Sequence, residues 1–482
     1  MSRIETIRAT YYGAVCFNFV TLLLPALYGT LSKLWIAQLA PSQVVTTDVY
    51  TYVGVITEVI NEGLPRVAFN VIGNKHRTDT YRRQLCWTLI AFQAFCGLLL
   101  SVAFVVAAPS FASLFVPVEV RDNSITYVRI ASFSSLFSVI QYATEAATRS
   151  LDRPDVPLLI SVVKTILNII LDLLFLSTVR VWTGNPDANT QGGIRLFCDG
   201  IAALAGLAYF AWTARGPGMK PSLVALKELS RPATFTLAES AIRNALYLWQ
   251  VANIVSLGSD YATAWGVFNT IRWGVLMVPA GAFEQAALAF IGHAWGKYKV
   301  QAAQKGSNDD ADVSESNETV GPVLRSVTTL RDVVRPAMIS FLYTLIIEAV
   351  LALLMSFVLI KPFARYLSGD AAVAELTTRM FKQLDWCYVL FTVHLQLGAI
   401  LLATRLDIWF VTALSSNILW VLPWCIALAV GAVSVDRAWY FYGIIFGGGL
   451  VLNFFVVSAG VGFWWFAVPR NWRLRWLSPL HD

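Results

Sequence analysis

Long apolar runs alternate with short polar stretches over most of the chain. Val102–Leu114, Ile201–Trp212 and Met338–Ile360 are three of these runs, and many approach the roughly 20 residues that a helix needs to cross the core of a bilayer. Hydrophobicity averaged over windows of about 19 residues predicts an all-α integral membrane protein. Its twelve transmembrane helices are expected near residues 14–38, 47–72, 85–110, 123–149, 156–178, 196–213, 232–257, 262–295, 334–360, 374–403, 408–430 and 438–467.

Two polar stretches organise this series of helices. Residues 216–231 separate the sixth helix from the seventh and are interpreted as a cytoplasmic linker, which gives an N-terminal lobe over residues 1–215 and a C-terminal lobe over residues 232–468. Within the second lobe, Gly306–Gly321 is acidic and free of aromatic residues, so we expect a disordered cytoplasmic loop over residues 300–330. Residues 469–482 are assigned to a cytoplasmic tail.

The two halves carry short similar segments at equivalent places. Gly63-LPRV-Ala68 in the second helix matches Gly281-AFEQ-Ala286 in the eighth, and the fourth and tenth helices both end in Ala-Thr-Arg, at residues 147–149 and 403–405. Repeats of this kind are typical of transporters whose binding site lies between the halves. The pattern predicts two six-helix lobes related by a pseudo-two-fold axis.

The basic residues of the loops favour one orientation. If the N-terminus is cytoplasmic, most loop lysines and arginines fall on the cytoplasmic side, as the positive-inside rule requires. The opposite loops then hold only Arg121, Arg180, Arg195, Lys361, Arg365 and Arg437. We therefore predict a multi-pass membrane protein with both termini cytoplasmic, although the pattern does not indicate which cellular membrane holds it.

Composition narrows the possible functions. Charged residues make up 14% of the chain against about a quarter in soluble domains. The net charge of +6 follows from the positive-inside bias, so no nucleic-acid partner is implied. The six cysteines lack metal-ligand spacing, and there is no nucleophile–base set or nucleotide-binding loop. We expect a non-enzymatic monomer without a cofactor or metal, and we interpret the glycines at 447–449 as a surface for close helix packing.

Charges inside predicted helices are the candidate functional residues, because an ionisable group near the bilayer centre costs about 2.5–3.5 kcal/mol on insertion scales. Glu239 and Arg243 share one face of the seventh helix. Glu239 is either a proton or cation coupling site, with Arg243 beside it in the substrate cavity, or half of an inert structural pair.

The N-terminal half offers two further groups of candidates. Asp172 and Asn168 lie four residues apart in the fifth helix and form a second candidate coupling site, unless Lys164 on the same face neutralises Asp172. Glu58 and Glu62 are candidate coupling residues on one stripe of the second helix. The Gly-Leu-Pro sequence that follows Glu62 indicates a bend there.

Other residues are assigned to pairs or to the cavity wall. The repeat aligns Arg66 with Glu284, which suggests an ion pair between the lobes, whereas Glu145 and Arg149 are interpreted as a structural pair. His394 is either a proton relay in the cavity or a neutral, hydrogen-bonded core histidine. Tyr247 and Trp273 would present aromatic faces that favour flat organic cations.

Two segments resemble multidrug and toxic compound extrusion (MATE) transporters, which lie within a wider superfamily that includes oligosaccharidyl-lipid and polysaccharide flippases. The run YVRIASFSSLFSVIQYATEAATRSLDRPDVPLLISVVKTILNIILDLLF, with its Pro-x2-Pro turn and Asn168-x3-Asp172, resembles helices four and five of that family. The segment AWGVFNTIRWGVLMVPAGAFEQAALAFIGHAWGK is similar to its eighth helix, with Pro279, Gly281 and Ala286 on the family's proline, glycine and alanine. The resemblance implies a coupling role for Glu239, seven residues after Pro232.

The sequence also departs from the family pattern. Ser32 stands where many bacterial members have a cation-binding aspartate in helix one, with Lys33 beside it, and Arg243 replaces a second acid in helix seven. A coupling mechanism built on the helix-one aspartate is therefore not expected here.

These observations support three hypotheses. The first is a secondary antiporter in the bilayer that exports small organic, cationic and amphipathic compounds in exchange for protons or sodium ions, by alternating access. The second is a flippase for lipids or lipid-linked oligosaccharides. Basic side chains of the kind that bind a pyrophosphate support it, and those inside the predicted helices are Lys33, Arg66, Lys164, Arg243 and Arg272. The third is a membrane scaffold that does not transport, with all its buried charges paired.

Overall fold

The computed structural model describes residues 10–39, 44–72, 78–151, 155–177, 181, 184–216, 220–309, 329–430 and 438–470. These residues form helices joined by short turns. The first six are α1 (Tyr11–Leu39), α2a (Val44–Asn61) and α2b (Leu64–Ile72), α3a (Asp79–Val106) and α3b (Ala108–Phe115), α4a (Arg121–Ser132) and α4b (Ser134–Ser150), α5 (Asp155–Phe175), and α6 (Ala188–Thr213).

The second six are α7 (Leu223–Val255), α8a (Ser259–Ile271) and α8b (Met277–Asp309), α9a (Leu330–Leu354) and α9b (Ile360–Ser368), α10 (Ala371–Thr404), α11a (Leu406–Ser416) and α11b (Leu422–Ala429), and α12 (Ala438–Ala467). The predicted twelve helices are confirmed as twelve straight or interrupted helices.

Side-chain caps fix several helix starts that lie outside the apolar runs. Ser222 caps α7, and Asp370 caps α10. Asp187 with Thr190, and Thr329 with Asp332, form reciprocal capping boxes at α6 and α9a. Each cap accepts a hydrogen bond from a backbone N–H that the first turn of a helix leaves unpaired. The chain ends α9b at Gly369, whose φ of 70° is a left-handed conformation that glycine adopts without strain.

Two of the predicted boundaries differ from the structure. α7 begins at Leu223, so most of the expected linker 216–231 is helix, because Ser222 supplies a cap that hydropathy does not detect. α8b continues to Asp309, inside the loop expected over residues 300–330, and residues 310–328 of that loop lie outside the described part of the chain. The expected tail, 469–482, is described only at its first two positions.

Interruptions occur in six helices, one of them α3, which breaks at Ala107. α2 breaks between Asn61 and Leu64, which confirms the bend predicted from Gly-Leu-Pro, and α4 breaks at Phe133. Wider π-helical turns interrupt the other three, at Arg272–Leu276 in α8, Met355–Leu359 in α9 and Asn417–Val421 in α11. Such turns are rare and are often found at functional sites.

Nine helices of the described chain are long and apolar enough to cross a membrane. The other three of the twelve are α2, α4 and α7. α2 and α4 are divided into shorter pieces, and α2 and α7 carry several of the buried charges described below. Two of the helices that do not meet the membrane criterion, α2 and α7, therefore carry the charges that meet between the lobes.

The lobes, α1–α6 and α7–α12, pack against each other through apolar residues. The largest core cluster contains Val49 and Val53 of α2a together with Val251 of α7 and Trp265 and Phe268 of α8a, all buried. A second cluster fills the N-terminal lobe around α2b, α3a and α4b and includes Leu229 of α7. A third fills the C-terminal lobe between α8b, α10 and α12.

Candidate functional site

Glu62 lies at the break in α2 and binds two arginines. Arg66 Nη1 is 3.2 Å from Glu62 Oε1, while the Nη2 group of Arg243, from the opposite lobe, contacts Glu62 Oε2. Ser240 Oγ also donates to Glu62 Oε2 at 2.8 Å. α7 approaches α2 at this break, where Thr236 Oγ1 of α7 donates to the Gly63 carbonyl at 3.0 Å.

Glu239 completes this group. Its Oε1 accepts from Arg243 Nε at 3.1 Å, and its Oε2 lies 3.9 Å from Arg66 Nη1. The Arg66 guanidinium also lies over the Trp409 ring, 4.7 Å from its centroid. We call Glu62, Arg66, Glu239 and Arg243 the central charge cluster. Each arginine contacts both acids, so the expected Glu239–Arg243 pair is part of a network that joins the two lobes.

Glu58 and Glu284 border the central charge cluster. Glu58 lies one turn before Glu62 and interacts electrostatically with Arg243 and Arg66, yet among the described residues no ion pair holds its carboxylate. Glu284 acts on Arg66 only at longer range. The ion pair expected between Arg66 and Glu284 is not formed within the described chain, because Arg66 is drawn to Glu62 and Glu239.

Asp172 lies apart, deep in the N-terminal lobe. Its side chain is fully buried, and neither carboxylate oxygen has a hydrogen-bond partner. The Tyr28 hydroxyl of α1 lies close enough to act on the Asp172 carboxylate, but it too lacks a hydrogen bond of normal geometry. Asn168 donates to the Lys164 carbonyl at 3.1 Å, while its own side-chain oxygen is free. Asp172, Asn168 and Tyr28 form a buried polar pocket that is incomplete without a proton or a ligand.

Lys164 does not neutralise Asp172. Its ammonium lies 2.5 Å from Asp199 Oδ1 in α6, and Tyr50 of α2a donates to the other Asp199 oxygen. Arg195 lies over the Tyr50 ring, 3.6 Å from its centroid. The alternative in which Lys164 pairs with Asp172 is therefore wrong. Sequence reasoning missed Asp199, although an acid in the apolar run of α6 is the same signal that indicated Asp172.

Lys33 joins the two lobes near the end of α1 that the predicted orientation places on the outer side. Its ammonium is 2.6 Å from Asp48 Oδ1 and donates to Gly266 O at 3.2 Å and to Thr270 Oγ1 at 3.0 Å. We call Lys33, Asp48, Gly266 and Thr270 the outer cluster. It is about 20 Å along α2 from the central charge cluster, at 1.5 Å per residue. The neighbouring Ser32 is buried and bonds only within α1.

His394 is fully engaged by its neighbours. Nδ1 bonds to the Phe391 carbonyl, which can only accept, and Nε2 is 3.0 Å from the Asn453 side-chain nitrogen, which donates. Each ring nitrogen therefore has one role in a neutral imidazole. These contacts support the core-histidine alternative.

Glu145 and Arg149 form the expected pair within α4b, at 3.2 Å. Among the ion pairs of the described residues, Arg149 does not contact the central charge cluster.

The predicted cavity residues Tyr247 and Trp273 lie together in the C-terminal lobe. Both surround Arg272, whose guanidinium is 5.4 Å from the Tyr247 ring centroid and 4.6 Å from that of Trp273.

Glu348 of α9a is a second acid that sequence reasoning missed. It is 1% exposed, and neither carboxylate oxygen has a hydrogen-bond partner. Its position within the apolar run Met338–Ile360 is the signal that could have identified it. No group of three or more His, Cys, Asp or Glu side chains with metal-site geometry occurs among the described residues.

Comparisons with known proteins place this arrangement in context. The MatE family model matches residues 18–174, the first five helices. A MOP superfamily transporter from Pyrococcus furiosus superposes with a TM-score of 0.70 at 13% identity, over 96% of this chain and 98% of that one. The chain has the MATE transporter fold. The resemblance predicted from the sequence is thereby confirmed over nearly the whole chain.

Other MATE structures superpose on this chain with similar TM-scores. A Vibrio cholerae MATE transporter superposes with a TM-score of 0.68 at 15% identity, over 98% of both chains. An outward-facing multidrug resistance MATE transporter gives a TM-score of 0.67 at 15% identity, over 95% of this chain and 97% of that one. The search of curated proteins finds no match to this sequence. Within the MATE fold, Asp172 lies in the N-terminal lobe and the central charge cluster at the lobe interface.

Proposed function

We propose that the protein is a secondary transporter that moves small organic compounds across a membrane by alternating access, in exchange for protons. The observation that carries the proposal is Asp172, a fully buried carboxyl group without an ion-pair or hydrogen-bond partner. A carboxyl group in this condition is more stable protonated than charged. Asp172 can bind a proton and release it only when the pocket opens to water.

Coupling follows from the position of Asp172 and Asn168. When the N-terminal lobe opens to the outer side, water reaches the pocket and Asp172 equilibrates with protons there. After the lobes rock, the proton leaves on the cytoplasmic side, and the deprotonated carboxylate changes the affinity for an organic cation. A ligand shifts such a two-state equilibrium only by the difference in its affinity for the two states.

Glu58 is the carboxylate that best suits the cationic group of a substrate. Glu239 and Glu62 are each held by two arginines, while Glu58 has no ion pair among the described residues. The sequence favoured Glu239 as the main coupling residue, whereas the proposal assigns the cationic group of the substrate to Glu58. We assign Glu239 to the contact between the lobes, where it also controls the rocking step.

The lobe contacts supply two gates. The outer cluster bonds α1 and α2a to α8a, and the central charge cluster bonds α2 to α7. Nearer the predicted cytoplasmic side, Thr236 Oγ1 donates to the Gly63 carbonyl at 3.0 Å, and the Tyr81 hydroxyl donates to Glu228 at 2.6 Å. The lobes thus touch on both sides of the centre, as in an occluded state. Opening to either side requires one set of contacts to separate.

The structure gives less support to the two alternatives. A flippase that grips a pyrophosphate needs clustered cations, whereas Arg66 and Arg243 are neutralised by Glu62 and Glu239. A scaffold with fully paired charges conflicts with Asp172 and Glu348, whose oxygens are unpartnered among the described residues.

The experiment uses the purified chain in liposomes with imposed proton or sodium gradients and a panel of cationic, neutral and anionic dyes. We expect a proton gradient to drive transport of an organic cation. Asp172→Asn, which keeps the shape of the buried side chain, should lower the driven rate at least about 10-fold, as expected for loss of an essential proton-transfer group. Glu119→Gln, at an exposed outer position, is the matched control and should transport normally.

Two outcomes would contradict the proposal. The first is transport by Asp172→Asn at the rate of the unmodified protein. The second is a sodium gradient that drives the same transport without protons. A smaller effect of Glu58→Gln on neutral dyes than on cationic dyes would support the assignment of Glu58.

A further inference from the structure

Arg272 lies in a cage of aromatic side chains within the C-terminal lobe. Its guanidinium carbon is 5.4 Å from the Tyr247 ring centroid, 4.6 Å from that of Trp273 and 6.0 Å from that of Tyr388. These rings come from α7, α8 and α10, so the cage is built by three helices. Aromatic faces hold a guanidinium in place without neutralising its charge.

Arg272 has no carboxylate partner among the described residues, in contrast to Arg66 and Arg243. Its one hydrogen bond within the described chain runs from Nη1 to the Tyr388 hydroxyl at 3.4 Å. Glu58 of the other lobe acts on it electrostatically, without an ion pair between the two among the described residues. A guanidinium carries five N–H donors, so most of the hydrogen-bonding capacity of Arg272 is unused.

Buried polar atoms without partners lie on the same side of the lobe. The Tyr247 hydroxyl, the Asn269 side-chain oxygen and the Trp265 indole N–H have no hydrogen bond of normal geometry, although Asn269 and Trp265 both lie close enough to Tyr247 to act on its hydroxyl. Asn269 is 5% exposed and Trp265 is fully buried. Native interiors rarely leave three such groups unpaired, unless a ligand or ordered water completes them.

The backbone and the surface at this point suit a binding site. Arg272 is the first residue of the π-helical turn Arg272–Leu276, which directs side chains differently from a regular α-helix. Trp273 is 45% exposed, so one wall of the cage can be reached from outside the protein core. Glu58 of α2a acts on Arg272 electrostatically, so the cage lies within electrostatic range of the N-terminal lobe.

We propose that Arg272, with Tyr247, Trp273 and Tyr388, binds the carboxylate of a flat aromatic compound. A guanidinium forms two parallel hydrogen bonds with one carboxylate, and the rings of the cage match an aromatic body. Among the described residues, Arg272 is the only cation that lies over these three rings, so the cage carries a single positive charge. One charge suits a monoanion better than a phosphate or a lipid pyrophosphate.

The inference extends the proposed function from cationic substrates to compounds that carry a carboxylate. It depends on that function for the transport step alone, since binding at Arg272 needs no ion gradient. Binding to detergent-purified protein and transport in liposomes therefore test the two separately.

The binding experiment uses the full-length protein and three ligands with the same ring system: radiolabelled naphthoate, with unlabelled naphthoate, naphthamide and naphthylmethylammonium as competitors. We expect naphthoate to compete at least about 10-fold better than the neutral amide, because only the carboxylate pairs with the guanidinium. Arg272→Gln should remove this preference. Arg379→Gln, on the exposed face of α10, should retain it.

Arg272→Lys is the second variant, in case Arg272→Gln does not fold. Lysine keeps the positive charge but cannot form the two parallel hydrogen bonds that a guanidinium makes with a carboxylate. Naphthoate should therefore bind at least about 5-fold more weakly, while the competition by naphthamide stays unchanged. Equal naphthoate binding in all variants would overturn the proposal. Equally strong competition by inorganic phosphate or by vesicles of anionic lipid would overturn the assignment to a carboxylate.

The transport arm separates this inference from the proposed function. If Asp172→Asn binds naphthoate normally but no longer responds to a proton gradient, both proposals are supported. If the unmodified protein binds naphthoate but no gradient moves any compound, the site at Arg272 stands and the proposed function fails.

Discussion

Two kinds of buried acid occur in this membrane protein. Glu62 and Glu239 are held by arginines, whereas Asp172 and Glu348 have no partner among the described residues. Removal of one member of a buried ion pair leaves an uncompensated charge and costs about 3–5 kcal/mol, while an unpartnered carboxyl group is stable only in its neutral form. The first kind suits a lobe contact, and the second suits a proton carrier.

The contact between Glu62 and Arg243 can be measured across the lobes. We expect a double-mutant cycle of Glu62→Gln and Arg243→Gln to give a coupling energy of at least about 1 kcal/mol, within the range found for residues in one ionic network. This value is at the lower end because the Arg243 side chain is 34% exposed. The measurement is unfolding in mixed micelles by increasing amounts of sodium dodecyl sulfate.

The control cycle uses Glu145→Gln and Arg149→Gln, a pair within one helix. We expect a coupling of about 0.3–0.5 kcal/mol there, which is typical of a single ion pair four residues apart in one helix. Equal coupling in the two cycles would show that the contact between the lobes has no special strength.

The contacts of His394 predict the pH dependence of transport. Since both ring nitrogens are occupied in the neutral imidazole, His394→Gln should leave the midpoint of the transport rate against pH unchanged. Transport measured between mildly acidic and mildly basic pH tests this expectation. A shifted or flattened profile in His394→Gln, with a normal profile in Glu119→Gln, would restore the proton-relay alternative.

At the scale of residues, sequence reasoning found the charges and the pairs within one helix, but not the partners that lie on other helices. Depth in an apolar run identified Glu239, Arg243 and Asp172, because the cost of a buried charge depends on position along one helix. Partners such as Asp199 for Lys164 lie on other helices, and only packing decides which of them meet. The close approach expected at the glycines 447–449 is confirmed, since a Cβ at Gly448 would lie 2.3 Å from Trp420.

At the scale of helices, the interruptions bring the functional groups to the lobe interface. The break in α2 was predictable from Gly63 and Pro65, because glycine and proline disturb the helical hydrogen bonds locally. The π-helical turn at Arg272 was not predicted, since its five residues contain no proline that would signal an interruption. The start of α7 was missed because Ser222 caps a polar turn outside the apolar window.

Close packing of α8a against α2a makes a specific prediction for Gly266. A Cβ at this position would lie 2.1 Å from Asp48 Oδ2, so Gly266→Ala should separate the outer cluster or strain it. We expect a loss of about 1–3 kcal/mol, as for other overpacked sites, seen as a lower midpoint of thermal unfolding at a fixed scan rate. Gly292→Ala, in the same helix with no atom within 4 Å, is the control. Equal unfolding midpoints for Gly266→Ala and Gly292→Ala would show that the outer cluster accommodates the added methyl group without loss of stability.

At the scale of the molecule, hydropathy and the repeats predicted the twelve-helix, two-lobe fold because a bilayer permits few other solutions. The cytoplasmic location of the termini stays a prediction, since residues 1–9 and 471–482 lie outside the described chain. The meeting of the lobes on both sides could not be predicted, because it depends on contacts such as that between Lys33 and Gly266. Alternating access requires that these contacts separate in turn.

The most direct test of the account compares exchange with accumulation in Asp172→Asn liposomes. Alternating access without a proton carrier should still exchange labelled for unlabelled substrate, but should not concentrate it when a proton gradient is imposed. We predict that the unmodified protein does both and that Asp172→Asn retains exchange and loses accumulation. Accumulation by Asp172→Asn equal to that of the unmodified protein would contradict the claim that Asp172 couples proton movement to transport.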